Sequence, residues 1–542
     1  MEYNLADLFE SVVDVVPDRE ALVYIDHPGT GAEVRLTYAQ LDAAANRVAH
    51  HLIDSGIRPG EHLGLHLYNG VEYLQTVLGC LKARVVPVNV NYRYVEEELA
   101  YLYADADLAA LVFDAEFTDR VAAARPRAPR LRHLVRVGTP VPGADGTVTL
   151  DVVDFADAEA GGSPGRGFPA RSADDQFIIY TGGTTGMPKG VMWRQEDLFF
   201  AGLGGGAPTG EPVAKPEELA ERVAAGGAGI TFFPTPPLMH GTSTLTAFIA
   251  FNFGQRVVIH RRFAPEEVLR TIEKEKVTSV SLVGDAMLRP LIDALNGPMK
   301  DTDCSALFSV SSSGAIMSDT VREEFQAHVP NVMLLNNFGS SESGFNGTAT
   351  PDSGPGRGFR IKVNSRTQVV DPVTHEPVAV GEPGRVAQRG HVPLGYYNDA
   401  RKTAETFFRK GDERWVLLGD MATVDEEGIV TVLGRGSQCI NTGGEKVYPE
   451  EVEQALKSHP DVYDALVAGV PDPKWGNRVA AVVQLRDGAA RPSLDDIQTH
   501  CRTHLAGYKI PRRLVITDSI QRSPSGKADY RWARSVAANT DR

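Results

Sequence analysis

Residues 175–190 read Asp-Gln-Phe-Ile-Ile-Tyr-Thr-Gly-Gly-Thr-Thr-Gly-Met-Pro-Lys-Gly. The apolar run that ends at Tyr180 predicts a buried strand, and the glycine- and threonine-rich segment after it predicts a loop. Such a loop can turn backbone N–H groups toward phosphate oxygens, while hydroxyl groups and Lys189 add donors and positive charge. The candidates for phosphate binding are therefore Thr181, Gly182, Gly183, Thr184, Thr185, Gly186 and Lys189.

The loop departs from the P-loop of nucleotide-hydrolysing proteins at two positions. Counting from Gly183, Pro188 stands where that motif has its second glycine, and Gly190 stands where it has the serine or threonine that binds magnesium. These departures weigh against a P-loop protein, which would release ADP and phosphate. The same residues would also fit an ordinary tight turn, or a protein that binds nucleotide without catalysis.

Helical and strand patterns alternate on the N-terminal side of this loop. Thr37 with Gln40 predicts a capping box at the start of a helix. Further along, apolar runs predict strands at 62–67, 85–90 and 109–113, and periodic segments predict helices at 71–83 and 94–104. This alternation favours an α/β fold with parallel strands.

The composition is that of an ordinary globular protein. Among 542 residues, 55 are Lys or Arg and 70 are Asp or Glu, so the net charge of −15 argues against nucleic acid as a partner. Four cysteines without a paired spacing predict reduced thiols, and an acidic N-terminus predicts a cytoplasmic protein without a signal peptide. The uncharged stretch 223–255 is interrupted by proline, so we expect buried strand and loop there and no membrane span.

A domain boundary is predicted near residue 434, which separates a large domain at 1–434 from a small one at 435–542. Pro449 predicts the start of a helix, and Ser493 with Asp496 predicts a second capped helix. Strands are predicted at 465–470, 479–485 and 514–517, so the small domain is expected to be α+β.

The run Tyr180–Val191 resembles the phosphate-loop signature of the AMP-forming acyl-CoA synthetases, a superfamily that includes peptide-synthetase adenylation domains and firefly luciferase. Further motifs follow in the order of that family: Pro236–Gly241, Ser313–Ala315, Asn337–Glu342, Gly419–Asp420, Gly434–Arg435, Gly443–Lys446 and Pro524–Lys527. The resemblance spans nearly the whole chain. It implies an adenylate-forming enzyme fold, in which a large α/β domain with stacked sheets is followed by a small, mobile α+β domain.

The resemblance implies a set of residues that bind ATP and Mg²⁺. Glu342 and Thr184 would be ligands of Mg²⁺, and Lys527 would bridge the reacting carboxylate and the α-phosphate. Phe338 would stack on adenine and Asp420 would hold the ribose hydroxyls. The remaining nucleotide contacts would come from Ser313, Gly314, Ala315, Asn337, Gly339, Ser340, Ser341 and Arg435.

The resemblance also implies sites for CoA and for the acid. Gly443, Gly444, Glu445 and Lys446 would shape a tunnel for the pantetheine arm of CoA after the small domain swings, with Ser437 at the position of the hinge. His240, Val283 and Gly284 would line the acyl pocket. Each of these residues also has an ordinary structural interpretation. Asp420 alone is typical of a turn aspartate, and His240 alone is typical of a buried core histidine. Arg435 and Lys527 alone are typical of solvated surface side chains, so all four roles depend on the resemblance.

The activity implied by the resemblance is ligation of CoA to a small-molecule carboxylic acid through an acyl-AMP intermediate, with ATP, Mg²⁺ and CoA as co-substrates. The strings Val283–Met287 and Asn441–Glu453 are similar to a branch that activates steroid side-chain carboxylates. Medium- and long-chain fatty acids are alternative substrates, and loading of a carrier protein is an alternative second step. The oligomeric state is open, and a homodimer is one of the states that the sequence allows.

Overall fold

The structure is a computed structural model that describes residues 1–26, 33–139, 150–182, 187–207, 210–227, 229–351, 359–442, 445–473, 475–522 and 526–539. Two compact units make up the chain. The first unit comprises residues 1–281, 341–345 and 391–414. The second unit comprises residues 282–340, 346–390 and 415–542.

The helices and strands are numbered in chain order. The helices are α1 (Leu5–Val15), α2 (Tyr38–Asp54), α3 (Val71–Lys82), α4 (Glu96–Asp105), α5 (Thr118–Ala124), α6 (Phe155–Gly161), α7 (Gln195–Gly202), α8 (Glu218–Ala225), α9 (Gly241–Asn252), α10 (Pro265–Glu275), α11 (Gly284–Asn296), α12 (Asp319–His328), α13 (Ala400–Thr406), α14 (Pro449–Lys457), α15 (Leu494–Arg502) and α16 (Tyr530–Asn539). The strands are β1 (Glu20–Ile25), β2 (Glu33–Thr37), β3 (His62–His66), β4 (Val86–Asn89), β5 (Leu108–Asp114), β6 (His133–Val137), β7 (Val153–Asp154), β8 (Gln176–Thr181), β9 (Lys189–Arg194), β10 (Thr231–Pro234), β11 (Arg256–His260), β12 (Ser279–Leu282), β13 (Ser309–Ser313), β14 (Met333–Ser340), β15 (Gly344–Ala349), β16 (Phe359–Val363), β17 (Thr367–Val370), β18 (Gly384–Arg389), β19 (Gly395–Tyr396), β20 (Phe407–Lys410), β21 (Glu413–Val424), β22 (Val430–Arg435), β23 (Ile440–Thr442), β24 (Glu445–Val447), β25 (Val462–Asp472), β26 (Gly476–Leu485) and β27 (Arg513–Thr517).

Two sheets with helices between them build the first unit. One sheet has the strand order β19-β9-β8-β4-β3-β5-β6-β7, and a second group of strands has the order β12-β10-β11-β1-β2. A single buried core joins side chains of both, such as Leu63 of β3 and Val257 of β11, with side chains of α1, α2, α3 and α9. The first unit therefore has the stacked sheets that the sequence analysis expected.

Most elements predicted for this unit are confirmed. The capping box of Thr37 and Gln40 begins α2, and the predicted strands at 62–67, 85–90 and 109–113 correspond to β3, β4 and β5. These strands pair in parallel, so the α/β class is confirmed. The expectation of strand and loop through 223–255 is wrong in part, because residues 241–252 form α9. This helix is buried on several faces and so lacks an amphipathic period.

The second unit contains two further groups of strands. One has the order β17-β18-β21-β22-β16-β15-β14-β13, and the other has the order β24-β23-β26-β25 with β27 beside β26. Along β25 the side chains alternate between two cores. Ala465 and Val467 pack with α14 and α15, while Leu466 and Ala468 pack with α16. The predicted helices at Pro449 and Ser493 and the three predicted C-terminal strands are confirmed.

Two further expectations concern the redox state of the cysteines and a membrane-spanning helix. The four cysteines are free thiols, as predicted. Among the helices that lie in the described residues, none is both long and apolar enough to cross a membrane.

Candidate active site

The predicted phosphate loop joins two paired strands of the first unit. β8 and β9 run antiparallel, with Thr181 opposite Lys189 and Tyr180 opposite Gly190. A Cβ at residue 190 would lie 2.6 Å from the ring of Tyr180, so only glycine fits this close approach. Four of the predicted phosphate ligands, Gly183, Thr184, Thr185 and Gly186, lie outside the described residues. Thr181, Gly182 and Lys189 therefore define the two ends of the loop.

Lys189 is held by two side chains that the sequence analysis did not single out. Its Nζ donates a hydrogen bond of 2.8 Å to Oδ2 of Asp399, and the ammonium lies 5.4 Å from the centroid of the Tyr396 ring. The hydrogen bond from Lys189, followed by one from the backbone N–H of Lys402, keeps the pKa of the Asp399 carboxyl below its usual value. Asp399 is thus ionised and fixes the position of the lysine.

Glu342, the candidate Mg²⁺ ligand, is connected to the same group of residues. The hydroxyl of Tyr396 donates a hydrogen bond of 3.0 Å to Oε1 of Glu342. The indole N–H of the buried Trp193 donates a hydrogen bond of 3.0 Å to the carbonyl of Ser341. Because Trp193 lies on β9, the strand that begins with Lys189 also positions the backbone just before Glu342.

His240 lies directly before α9, near the end of β8. Its carbonyl accepts the backbone N–H of Ser243 at 3.0 Å. Asn89 joins this turn to the loop, because its Nδ2 donates to the carbonyls of Tyr180 and Met239 at 2.8 and 2.7 Å. The backbone N–H of Tyr180 donates to Oδ1 of Asn89 at 2.7 Å. Asn89 therefore keeps His240 close to Thr181, although the sequence analysis did not identify this role.

In the second unit, the turn at Val283–Gly284 packs against the segment after β13. The N–H of Gly284 donates to Oγ of Ser312 at 2.7 Å, and that hydroxyl donates to the carbonyl of Ala315 at 2.6 Å. Gly284 has a positive φ of 53°, and a Cβ there would lie 2.8 Å from Cβ of Ala315. The glycine is therefore required by the turn itself.

Lys527 lies beside this turn. A Cβ at Gly314 would be 3.3 Å from Cε of Lys527, and one at Gly526 would be 3.1 Å from Cγ1 of Val283. The structure thus brings together the segments of Val283, Gly314 and Lys527, which are far apart in sequence. The resemblance assigned the first to the acid, the second to the nucleotide and the third to the reacting carboxylate.

The predicted adenine-binding segment ends β14. This strand pairs in parallel with β13, so Asn337 lies opposite Ser313. The hydroxyl of Thr348 donates to Oδ1 of Asn337 at 3.0 Å. The ring of Phe338 is half-buried and meets the ring of Phe359 edge to face, with centroids 6.5 Å apart. Gly339 and Ser340 complete the strand, and Ser341 follows it.

Asp420 and Arg435 lie opposite each other on β21 and β22. The Nε of Arg435 is 3.7 Å from Oδ1 of Asp420. The carboxyl group of Glu450, in the first turn of α14, packs on Gly434 next to this pair. Burial, followed by repulsion from Glu453 and Asp420, raises the pKa of Glu450 to about 8. A role of Asp420 and Arg435 in binding ribose and phosphate stays a prediction.

The predicted CoA loop is described only in part. Glu445 and Lys446 are exposed on β24, where Lys446 pairs with Asn441 of β23. Gly443 and Gly444 lie outside the described residues.

Sequence reasoning missed Tyr396, Asp399 and Asn89 because each acts on a residue far away along the chain. A weak signal was present in Gly395-Tyr-Tyr-Asn-Asp399, where two aromatic residues stand before turn-forming residues. Asn398 has a positive φ of 52°, and Asp399 then caps α13 by accepting the N–H of Lys402.

Two family models match the chain. The model described as "AMP-binding enzyme" matches residues 9–397, and the model described as "AMP-binding enzyme C-terminal domain" matches residues 451–527. The first of these matches covers more than half of the chain.

Similar proteins of named function cover nearly the whole sequence. A protein of Mycobacterium tuberculosis named medium/long-chain-fatty-acid--CoA/3-oxocholest-4-en-26-oate--CoA ligase is 46% identical over 536 residues, which is 98% of this chain and 95% of that protein. A 3-oxocholest-4-en-26-oate--CoA ligase of Rhodococcus rhodochrous is 43% identical over 98% of this chain and 96% of its own length. The crystal structure of the anthranilate CoA ligase AuaEII with anthranoyl-AMP superposes with a TM-score of 0.83. It is 22% identical and covers 100% of this chain and 98% of its own, so it shows the fold alone.

Proposed function

The chain belongs to the family of AMP-binding enzymes, and we propose on that premise that it is an ATP-dependent acyl-CoA ligase for a bulky or branched acid such as a steroid side-chain carboxylate. The observation that carries the proposal is the 46% identity, over 98% of this chain, to a relative whose name includes a steroid acid. That name also includes medium- and long-chain fatty acids, which are the alternative substrates.

The reaction takes place in two steps. In the first, an oxygen of the acid carboxylate attacks the α-phosphorus of ATP, the bond from that phosphorus to pyrophosphate breaks, and pyrophosphate leaves with the electron pair. In the second, the thiol of CoA loses its proton to water and its sulfur attacks the acyl carbon. The bond from that carbon to the phosphate oxygen breaks and AMP leaves. The products are acyl-CoA, AMP and pyrophosphate.

The first step brings two anions together, so positive charge at fixed positions lowers its barrier. Lys527 supplies charge beside Gly314 and Val283, where the carboxylate and the α-phosphate meet. Lys189, held by Asp399, supplies charge at the end of the phosphate loop. Asp420 and Arg435 bind the ribose, and Phe338 stacks on the adenine.

Mg²⁺ enters as part of the substrate MgATP. The carboxylate of Glu342 has the hard oxygen donors that Mg²⁺ prefers, and the hydrogen bond from Tyr396 orients it. The hydroxyl of Thr184 is the second proposed ligand. Bound Mg²⁺ neutralises charge on the phosphates.

The second step uses the C-terminal part of the chain. We assign residues 435–542 to a small domain that turns after acyl-AMP has formed and residues 1–434 to a large domain. The turn withdraws Lys527 and presents Gly443, Gly444, Glu445 and Lys446 to the pantetheine arm. His240, Val283 and Gly284 hold the acid. A cytoplasmic location, where ATP and CoA are available, and a homodimer stay predictions.

Mass spectrometry of the reaction products tests this proposal. The purified protein is incubated with ATP, Mg²⁺ and CoA together with a steroid side-chain acid, dodecanoate or benzoate, each at several concentrations. We expect a steroid acyl-CoA with one AMP and one pyrophosphate per thioester, and a kcat/KM at least tenfold higher than with dodecanoate.

Three different results would each contradict a defined part of the proposal. A higher kcat/KM for dodecanoate would assign the enzyme to fatty acids. Acyl-AMP without thioester would point to a carrier protein as the acceptor. ADP and phosphate in place of AMP and pyrophosphate would overturn the reaction class.

A further inference from the structure

A buried ion pair connects α11 with the C-terminal part of the second unit. Lys457, in the last turn of α14, exposes 11% of its side chain, and Asp285, in the first turn of α11, exposes 3%. The Nζ of Lys457 lies 3.4 Å from Oδ2 of Asp285. The other carboxylate oxygen of Asp285 accepts the backbone N–H of Ser318 at 2.8 Å. Asp285 is therefore held by its own segment and faces Lys457 with its remaining oxygen.

The pair continues toward Lys527 through two more buried side chains. Nζ of Lys457 also lies 3.4 Å from Oδ1 of Asp464 on β25. Asp464 accepts two hydrogen bonds of 2.7 Å from Nη2 of Arg522 and one of 3.0 Å from its Nε. Arg522 pairs across a short antiparallel bridge with Ala528, the residue next to Lys527. Four alternating charges, on Asp285, Lys457, Asp464 and Arg522, thus link α11 to the bridge partner of the residue next to Lys527.

The charges in this row stabilise one another. Burial alone would lower the pKa of the Lys457 ammonium, but Asp464 and Asp285 raise it above its usual value. Burial alone would raise the pKa of Asp464, but Lys457 and Arg522 hold it below its usual value. Removing one partner of such a buried pair leaves an uncompensated charge, so the arrangement strongly favours this one geometry.

Asp285 belongs to the turn at Val283–Gly284, which also contacts the segment of Gly526 and Lys527. Val283, two residues before Asp285, packs against Gly526, one residue before Lys527. The C-terminal segment therefore meets the turn at 283–285 twice, once through Gly526 and once through Lys457. Two contacts fix the orientation of the C-terminal segment against this turn, whereas a single contact would let the segment rotate about it.

We propose that Asp285 and Lys457 are positioning residues that hold Lys527 in place for the adenylation step. Neither side chain is assigned to the substrate. Because the pair includes α11 on one side and α14 on the other, it must break when residues 435–542 turn for the thioester step. It therefore assists the first half-reaction only. This inference rests on the proposed function, since it assumes that acyl-AMP forms at Lys527.

The test measures the two half-reactions separately in variants that change charge with little change in shape. Asp285→Asn keeps an acceptor for Ser318 and removes the charge that faces Lys457, and Lys457→Met removes the other charge. Asp301→Asn is the matched control, because Asp301 is an exposed acid shortly after α11. Adenylation is followed by acid-dependent exchange of pyrophosphate into ATP, and thioester formation is followed from supplied acyl-AMP and CoA.

We expect Asp285→Asn to lower the kcat of adenylation about 10- to 100-fold with the KM for ATP changed less than threefold. The thioester rate from supplied acyl-AMP should stay within twofold of the unchanged protein. Lys457→Met should lower the adenylation kcat in the same way. Because both changes remove the same ion pair, adenylation in the double variant should be no slower than in the slower single variant. Asp301→Asn should match the unchanged protein in both assays.

Equal losses in both half-reactions would show a general structural role and overturn the proposal. Full adenylation activity in either single variant would also overturn it. So would a loss in the double variant that equals the product of the two single losses. If the unchanged protein fails to exchange pyrophosphate with any acid, the proposed function fails instead. Hydrogen–deuterium exchange then still tests whether Asp285 holds Lys457 and α14 in place. Residues 449–457 should exchange faster in Asp285→Asn than in Asp301→Asn, and equal protection would overturn the inference.

Discussion

The hydroxyl of Tyr396 donates a 3.0 Å hydrogen bond to Glu342, and the ring of the same tyrosine lies 5.4 Å from the ammonium of Lys189. One aromatic side chain thus touches the proposed Mg²⁺ ligand and a proposed phosphate ligand at once. Tyr396 reaches this position because β19 pairs with β9, with Tyr396 opposite Val191. The separation of Lys189 and Glu342, which we propose to bind MgATP, therefore depends on the pairing of β19 with β9.

Replacing Tyr396 by phenylalanine should weaken the use of MgATP. The change keeps the ring under Lys189 and removes the hydrogen bond that orients Glu342. A hydrogen bond to a charged group contributes about 1.5 kcal/mol, so kcat/KM for MgATP should fall about tenfold. Steady-state adenylation at several Mg²⁺ concentrations measures the effect, and the Mg²⁺ concentration for half-maximal rate should rise.

The neighbouring Tyr397 provides the matched control. Its hydroxyl donates to Asp107 at 3.0 Å, so Tyr397→Phe removes one tyrosine hydroxyl without touching Glu342. Similar losses of activity in both variants would contradict a specific role for Tyr396.

Replacing Lys527 by glutamine should separate the two half-reactions. The change removes the positive charge that lies beside Gly314, and loss of one such stabilising group costs about 100-fold or more in rate. Adenylation should fall by that factor, while thioester formation from supplied acyl-AMP should stay within about twofold if the lysine acts in the first step alone. Full adenylation in this variant would contradict the proposed role.

Replacing Gly284 by alanine should destabilise the protein whatever acid it binds. The residue has a φ of 53°, and the new Cβ would meet Ala315 and the carbonyl of Ile316 at 2.8 Å. A left-handed conformation costs a non-glycine residue about 1–2 kcal/mol before any steric contact is counted. Thermal unfolding should show a lower midpoint, with activity lost in the same proportion for steroid and linear acids.

Gly507→Ala is the control for that experiment, because the structure shows open space at residue 507 and no positive φ. A loss at Gly284 confined to the steroid acid would contradict the turn-based explanation.

Replacing Glu450 by glutamine should stabilise the protein above neutral pH. The folded protein holds a proton on Glu450 up to a pKa of about 8, whereas the unfolded chain releases it near the ordinary value. Stability is unaffected below the ordinary pKa, falls as pH rises toward 8 and is constant above it. The glutamine variant avoids this loss, so its advantage should be about 4 kcal/mol at pH 8 and about 1 kcal/mol or less at pH 5.

Thermal unfolding at these two pH values measures the difference. Glu451→Gln is the control, since Glu451 pairs with Lys509 at 2.5 Å and should gain nothing from the change. An equal gain for Glu450→Gln at both pH values would contradict the raised pKa.

The sequence by itself determined the features that depend on neighbours along the chain. The capping boxes at Thr37 and Ser493 were predictable because each closes a hydrogen bond within three residues. The strands at 465–470, 479–485 and 514–517 were predictable because each is a short run rich in apolar residues. Motif order over nearly the whole chain predicted the family, which the matching family models confirm.

The tertiary structure decided which side chains meet. Asp399 is 210 residues from Lys189 and Tyr396 is 54 residues from Glu342, so no local pattern could pair them. The helix at Gly241–Asn252 escaped prediction because it is buried on several faces and has no polar stripe to reveal its period. No local pattern in the sequence pairs Asp285 with Lys457. Packing of α11 against the C-terminal segment removes both from water, and only that burial makes their pairing necessary.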